Sequence, residues 1–408
     1  MQLPSDADRS GRELGAEELE LLREVIESGI LNCTRGTQVA ALEAEFAARY
    51  GVPYCRAVCS GSAAIHAAIA AIDPEPGDEV ITSPVTDMGA ITPILYQQAI
   101  PVFADVDPVS LNVTPETVAA RITPRTRAVV VTHLFGNPCD VPGILRVTAP
   151  RGIPVIEDCA QAYLASFGGR LAGVMGAIGA FSLQQGKHIT AGEGGLVITS
   201  DAARARRVRL FSDKAWGYGD PAPDHYFLAL NCRMTELQGA VARAQLRKLD
   251  AFVERRRRSA AQLSHLLAEL PGITLPAAAP GAVHSFWRYC LSVDPEAIRG
   301  GAEALGAAIA AEGIRCQPRY IRKLAFECEL FVRQHTYGNS RWPFSLRPET
   351  PNPPWDRRFY PGAARGLDRI LVLPWNEKYT AEHVEFIASA LKRAVGKLAV
   401  CQRPVSTR

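Results

Sequence analysis

The sequence predicts a two-part α/β protein: a large domain with a mostly parallel sheet flanked by helices, then a smaller α+β C-terminal domain. Three observations carry this. The chain has 408 residues, about twice the usual span of one domain. From Tyr54 to Thr199 short apolar runs alternate with helical stretches, the pattern of a parallel sheet with crossover helices. Beyond Pro271 the alternation gives way to a mixture of short strands and helices. The boundary is expected near residue 250, with an N-terminal arm and large domain over 1–250 and the small domain over 251–408.

The elements follow in order. Glu17 to Ser28 carries apolar residues at helical spacing (Leu19, Leu22, Val25, Ile26) and meets Gly29, a helix stop. Val39 to Tyr50 repeats this through Leu42, Phe46 and Ala47, ending at Gly51. Strands are predicted at Glu79–Thr82, Pro101–Ala104, Ala128–Thr132, Pro154–Ile156, Ala180–Leu183 and Gly195–Thr199, with helices at Ser62–Ala71 and Pro115–Arg121 among them. A long helix is expected from Glu236 to Glu269, broken near Leu249. Its run Arg255 to Arg258 reads as a solvated face opposite Phe252, Leu263 and Leu266. The C-terminal part offers a strand, Arg288–Val293, and helices Gly301–Glu312 and Ala381–Ala394. Tyr337 to Gly362, rich in Pro and aromatic residues, reads as a long ordered loop.

Composition removes several classes. At 47% hydrophobic and 21% charged the chain can bury a core. Lys plus Arg at 45 against Asp plus Glu at 42 is too even to call for nucleic acid. No apolar run reaches the roughly 18 residues of a membrane span. The polar first residues lack a basic-then-apolar order, so a cytoplasmic enzyme is expected. Ten cysteines without a CxxC pair read as reduced thiols in or near the core, with no metal site. Lysine is rare, and Lys187 is the first in the chain.

Four segments hold the chemistry. Cys59-Ser60-Gly61-Ser62-Ala63-Ala64 joins a strand end to a helix start, whose unpaired amides can cradle a phosphate. Val155-Ile156-Glu157-Asp158 ends a strand in carboxylates, where Asp158 can pair with a protonated ring nitrogen and Gln161 can reach a ring substituent. Lys187 lies between an apolar strand and a glycine-rich turn. Partial burial there would free its amine to condense with an aldehyde, and Ser182 can offer a hydroxyl to a phosphate. Asn231-Cys232-Arg233-Met234, just before the long helix, reads alone as an ordinary helix start. Phosphate cradle, strand-end Asp and lysine in this order describe a pyridoxal phosphate site.

In these segments the chain resembles the DegT-type sugar aminotransferases, PLP-dependent enzymes of the aspartate-aminotransferase fold (fold type I). The resemblance runs from Gly15 to about Gln245, then more loosely onward. It also includes Gly77-Asp78-Glu79-Val80-Ile81, Pro101 to Asp107 and Thr132-His133-Leu134-Phe135-Gly136. It implies Lys187 as the Schiff-base lysine, Asp158 on the pyridinium nitrogen and Gln161 near the ring hydroxyl. Gly61, Ser62, Ala63 and Ser182 fall on phosphate-binding positions. Asn231 falls on a position that reaches the phosphate of a second subunit, which implies a homodimer with shared sites. One departure is Thr86-Asp87, where many relatives carry an aromatic residue that stacks on the cofactor; either Met88 or a residue from elsewhere covers the ring, or Asp87 is a substrate contact. His188, Arg319 and Tyr320 are candidates for the substrate mouth.

The resemblance implies transfer of an amino group from glutamate or glutamine to a keto-sugar or keto-cyclitol. Gln184-Gln185-Gly186-Lys187 leans towards cyclitols. A dehydratase or aromatising enzyme of the aminohydroxybenzoate-synthase kind is the alternative. Dehydratases that remove a hydroxyl beside the keto carbon carry histidine at the position of Lys187, so only the aromatising branch stays open. A non-catalytic regulator would lack the lysine or the aspartate, and a dinucleotide-binding domain would need more glycines than Ser60-Gly61-Ser62 supplies.

Overall fold

The computed structural model describes residues 1–347, 349, 351 and 353–400. The large sheet uses β1 (Tyr54–Val58), β2 (Glu79–Thr82), β3 (Ile100–Phe103), β4 (Thr126–Thr132) and β5 (Val155–Asp158). After a small hairpin, β6 (Ser166–Phe167) and β7 (Arg170–Leu171), come β8 (Ile178–Ser182) and β9 (Gly195–Thr199). Across the seven-stranded sheet the order is β1-β9-β8-β5-β4-β2-β3. β3, β2, β4, β5 and β8 are parallel, while β9 runs antiparallel to both β8 and β1.

The central strands are apolar throughout because both sheet faces are covered. In β4, Val129 and Val131 join a core with Phe46, Tyr50 and Phe181, whereas Ala128 and Val130 join a second core with Ile65 and Ile69. The helix Gly61–Ile72 lies on that second face, capped by Ser60. Parallel direction brings the ends of β4, β5 and β8 to one edge, and β1 ends there too. Thr132, Asp158, Ser182 and Ser60–Ser62 therefore meet at the carboxyl edge, where ligands of such sheets bind.

A second sheet comprises β10 (Ile273–Thr274), β12 (Arg288–Val293), β13 (Gln317–Pro318) and β14 (Ile370–Pro374), in the order β10-β12-β14-β13; β11 (Ala282–Val283) pairs instead with β6. Tyr289, Leu291 and Val293 pack here against Leu305, Ile387 and Leu391, from the helices Gly301–Ala310 and Ala381–Leu398.

The helix Glu236–Leu267 runs 32 residues without the expected break at Leu249. Its buried positions 246, 249, 253, 256, 260, 263 and 267 form one stripe at helical spacing. Leu246, Leu249, Phe252 and Val253 serve the large core, and Ala260, Leu263 and Leu267 the small one.

Arg256 falls on this stripe, which corrects the reading of Arg255 to Arg258 as a solvated face. Arg258 is exposed, but Arg256 is fully buried, with Nη2 2.6 Å from Glu377 and Nη1 donating to the carbonyls of Trp287 and Trp375.

In the segment 337–362 Phe344, Trp355 and Tyr360 pack inward, while Tyr337 and Phe359 stay exposed. Trp355 meets Phe331 at 5.3 Å between ring centroids and Phe103 at 6.2 Å. Positions 348, 350 and 352 of that segment, and Cys401 among the cysteines, lie outside the described residues. No helix among the described residues is long and apolar enough to cross a membrane.

Candidate active site

Lys187 sits in the turn after β8, and this turn is held by its carbonyls. Arg12, only 3% exposed, donates to the carbonyl of Lys187 at 2.8 Å and also to that of Gln185. The indole of Trp287 donates to the carbonyl between them, Gly186, at 2.7 Å. Three successive carbonyls are thus gripped by the N-terminal arm and by the residue just before β12. The lysine amine lies 4.5 Å from the Trp287 ring centroid, and the Arg288 guanidinium stacks on the same ring at 4.1 Å. Burial lowers the Lys187 pKa below the usual lysine range, while Asp158 and Asp87 pull it upward. A desolvated amine is what condensation with an aldehyde needs.

Asp158 closes β5 and is buried. Its Oδ1 accepts from the Ala160 amide at 3.0 Å, and its Oδ2 accepts from Thr132 at 3.4 Å. The Thr86 hydroxyl lies 3.0 Å behind Thr132, so a chain of two threonines orients the carboxylate. Burial pushes the Asp158 carboxyl above its ordinary range, opposed by the Ala160 amide and the Lys187 charge. Gln161 accepts from the Phe135 amide at 2.7 Å and neighbours the Tyr320 hydroxyl. The Tyr320 ring stands edge-on to Phe135 at 4.8 Å. Tyr320 adopts φ 39°, a left-handed conformation that costs about 1 kcal/mol or more and is held by these contacts.

The helix start at Gly61 forms an anion cradle. Ser60 takes the Ala63 amide with its side chain and the Ala64 amide with its carbonyl, leaving the amides of Gly61 and Ser62 at the open end. Ala63 thus spends its amide on the cap. A Cβ on Gly61 would fall 2.6 Å from the Ser182 Cβ, so only glycine lets the helix start approach that hydroxyl. These donors, a carboxylate and a desolvated amine share one sheet edge, and this set fits pyridoxal phosphate.

Asp87 is exposed, caps the turn at Met88 by accepting from the Gly89 amide at 2.8 Å, and acts electrostatically on Lys187, Asp158 and Tyr320. One expected substrate contact lies elsewhere. His188 is fully buried, with Nε2 3.1 Å from the Ser285 carbonyl and its ring beside Tyr163, so it presents no surface to a substrate. Burial pushes its pKa well below the ordinary range and keeps it neutral. Arg319 turns its guanidinium to Asp368 at 2.8 Å. Asn231 is exposed and accepts from the Arg233 amide at 3.2 Å.

Sequence reasoning missed Arg12, Trp287 and Arg288. Arg288 also pairs with Asp6 of the arm at 3.0 Å, and Asp6 in turn faces Arg12 and Arg256. His133, Glu157 and Cys159 place potential ligand atoms within 4.8 Å of one another, yet they are already engaged. The His133 Nδ1 accepts from the Cys139 amide, its Nε2 meets Glu157, and Glu157 also accepts from the amides of Gly173, Met175 and Gly176.

Fold and site together are those of an aminotransferase of fold type I. The chain belongs to the DegT/DnrJ/EryC1/StrS aminotransferase family, whose profile matches residues 12–348. It is similar to the L-glutamine:2-deoxy-scyllo-inosose aminotransferase of Streptomyces fradiae, with 39% identity over 67% of this chain and 68% of the relative. It is also similar to the UDP-N-acetyl-3-dehydro-alpha-D-glucosamine 3-aminotransferase of Acidithiobacillus ferrooxidans, with 33% identity over 88% of this chain and 89% of that protein. Among solved structures, the aminotransferase of Psychrobacter cryohalolentis superposes with a TM-score of 0.85 at 27% identity, covering 95% of this chain and 98% of that one.

Proposed function

We propose that this enzyme moves an amino group from glutamate or glutamine to a keto-sugar or keto-cyclitol, with pyridoxal phosphate as its cofactor. The observation that carries this is the desolvated Lys187 amine facing Asp158 beside the Gly61 cradle. When bound, the cofactor supplies an exchangeable aldehyde and a ring that accepts electrons as a proton leaves the substrate carbon. The Gly61 and Ser62 amides and the Ser62 and Ser182 hydroxyls hold its phosphate. Asp158, aimed by Thr132, would hold the ring nitrogen protonated, and Gln161 would serve the ring hydroxyl. Lys187 Nζ takes up the proton from the substrate carbon and returns it on the other side of the exchange. Trp287 shields this amine from water, while Asp87, Tyr320 and Arg288 line the approach for substrate.

The names of the two relatives support keto-cyclitol and keto-sugar acceptors alike, and give the aromatising alternative less support. We also place Asn231 in the site of a second copy, making a homodimer. The segment before it exposes Leu228 (88%) and Leu230 (65%), apolar side chains that a partner would cover. The division into a large and a small domain near residue 250 belongs to the same proposal.

Borohydride treatment with pyridoxal phosphate should fix one adduct on the peptide of Lys187, and Lys187→Ala should abolish it; an adduct elsewhere refutes the assignment. A panel of keto-sugars and keto-cyclitols with glutamine labelled at its α-nitrogen should then leave the label on an intact ring.

A further inference from the structure

Val58 and Arg233 form an antiparallel bridge, and the next residues, Cys59 and Cys232, lie opposite each other, with the Cys59 amide donating to the Cys232 carbonyl at 2.8 Å. As opposed residues they project their side chains to the same face, both thiols are free, and both are only partly buried. Each flanks a group already assigned a role: Cys59 precedes Ser60-Gly61-Ser62, and Cys232 follows Asn231. Side chains alternate along an extended segment, so Cys232 faces Cys59 while Asn231 faces outward. We infer that Cys59 and Cys232 are a peroxide-sensitive thiol pair, whose disulfide clamps the phosphate-binding turn to the segment carrying Asn231.

The two thiols are not alike. The neighbouring Cys232 thiol brings the Cys59 thiol down to about 6, with the backbone and Ser60 adding to it. The same neighbourhood raises Cys232. Burial pushes Cys33, Cys55, Cys159, Cys290 and Cys316 up. Cys59 also stands just ahead of the positive end of the helix Gly61–Ile72, which favours a thiolate.

The Cys59 thiolate attacks one peroxide oxygen; an S–O bond forms, the O–O bond breaks, and hydroxide leaves and is protonated to water. The Cys232 thiol then gives up its proton and attacks that sulfur; the S–S bond forms and a second water departs. Two thiols lose two electrons and hydrogen peroxide gains them. Opposed residues on paired segments hold their Cβ atoms about 4.5–5.5 Å apart, whereas a disulfide needs roughly 3.5–4.5 Å. Closure therefore draws the turn at Ser60–Ser62 sideways by up to about 1 Å, which loosens its grip on phosphate. This last consequence rests on the proposed cofactor site.

The test treats the reduced whole protein with hydrogen peroxide at pH 7 and maps peptides without reduction. A Cys59–Cys232 linkage should form first, and brief iodoacetamide labelling should reach Cys59 at least about tenfold faster than Cys33. Cys232→Ser should leave a dimedone-reactive sulfenic acid on Cys59. Linkage between other cysteines, or oxidation elsewhere while this pair stays reduced, overturns the inference. The oxidised protein should bind pyridoxal phosphate at least about fivefold more weakly, with recovery on reduction; unchanged affinity with the disulfide mapped overturns the clamp. Reduced protein that binds no pyridoxal phosphate would instead overturn the cofactor reading and leave the mapped disulfide standing.

Discussion

Arg12 reaches across 175 positions of sequence to hold the carbonyl of Lys187. Replacing it by methionine keeps most of the side-chain bulk and removes the guanidinium. Two hydrogen bonds from a charged donor to the lysine turn disappear, each contributing about 1.5–3 kcal/mol, together with a third to the Asp6 carbonyl outside the turn. The gross loss of roughly 3–6 kcal/mol is an upper limit. The turn keeps the bond from the Lys187 amide to the Gln184 carbonyl at 3.0 Å and the Trp287 bond to Gly186 at 2.7 Å. Water can also enter from the adjoining cavity of about 650 Å³, lined by Asp6, Gln185 and Gly186. Halving the gross figure leaves about 1.5–3 kcal/mol, or roughly 10- to 150-fold in the fraction of molecules with the lysine correctly aimed. Arg12→Met should lower kcat by that factor, with the donor KM little changed and borohydride trapping slowed in step. Arg12→Lys should recover part of the loss, since an ammonium can still serve one carbonyl. A methionine variant with kcat within threefold of the parent refutes a positioning role, whatever its thermal stability.

Capture of pyridoxal phosphate by cofactor-free protein needs the unprotonated Lys187, so its rate should rise with pH through the burial-lowered pKa of that amine. The Asp87 carboxylate favours the protonated lysine, so Asp87→Asn should move the midpoint to lower pH; a midpoint that stays or rises shows that Asp87 does not face the lysine. Arg256→Met should cost about 3–5 kcal/mol by leaving Glu377 buried without its cation, and adding Glu377→Leu should restore most of it. Denaturant midpoints measure both variants, and a double variant as weak as the single one contradicts this reading of the pair. Mixing Lys187→Ala with Asn231→Ala subunits should create one intact site per heterodimer. Activity no higher than the parental mean, with heterodimers confirmed, would put Asn231 in its own subunit's site.

What the sequence reveals depends on how far apart the partners lie along it. The central strands are legible because burial on both faces makes each a short apolar run, and their observed ends differ by only one or two residues. Asp158, Gln161 and Ser182 are legible because each sits beside a strand end that the apolar pattern marks. Trp287 and Arg288 are not, because they come from the second sheet, about 100 residues further on, and only the tertiary fold brings them to the lysine turn. His188 shows the converse. It neighbours Lys187 in sequence, yet the turn sends its side chain to the opposite side, into the core. Arg256 did leave a signal in the stripe Leu249, Val253, Arg256, Ala260, Leu263, which the surrounding arginines obscured. Arg319 left none, since its pairing with Asp368 depends on a helix nearly fifty residues later.

The uninterrupted helix Glu236–Leu267 has a mechanical consequence. It is a rod about 48 Å long at 1.5 Å per residue, embedded at one end among the side chains of the first sheet and at the other among those of the second. With no proline or glycine near its middle to act as a joint, it ties the two halves as a strut would. Swinging one against the other would bend it and tear buried contacts at both anchorages. Substrate admission must therefore be managed by pieces lighter than a whole lobe, such as the arm around Asp6 or the turn bearing Tyr320.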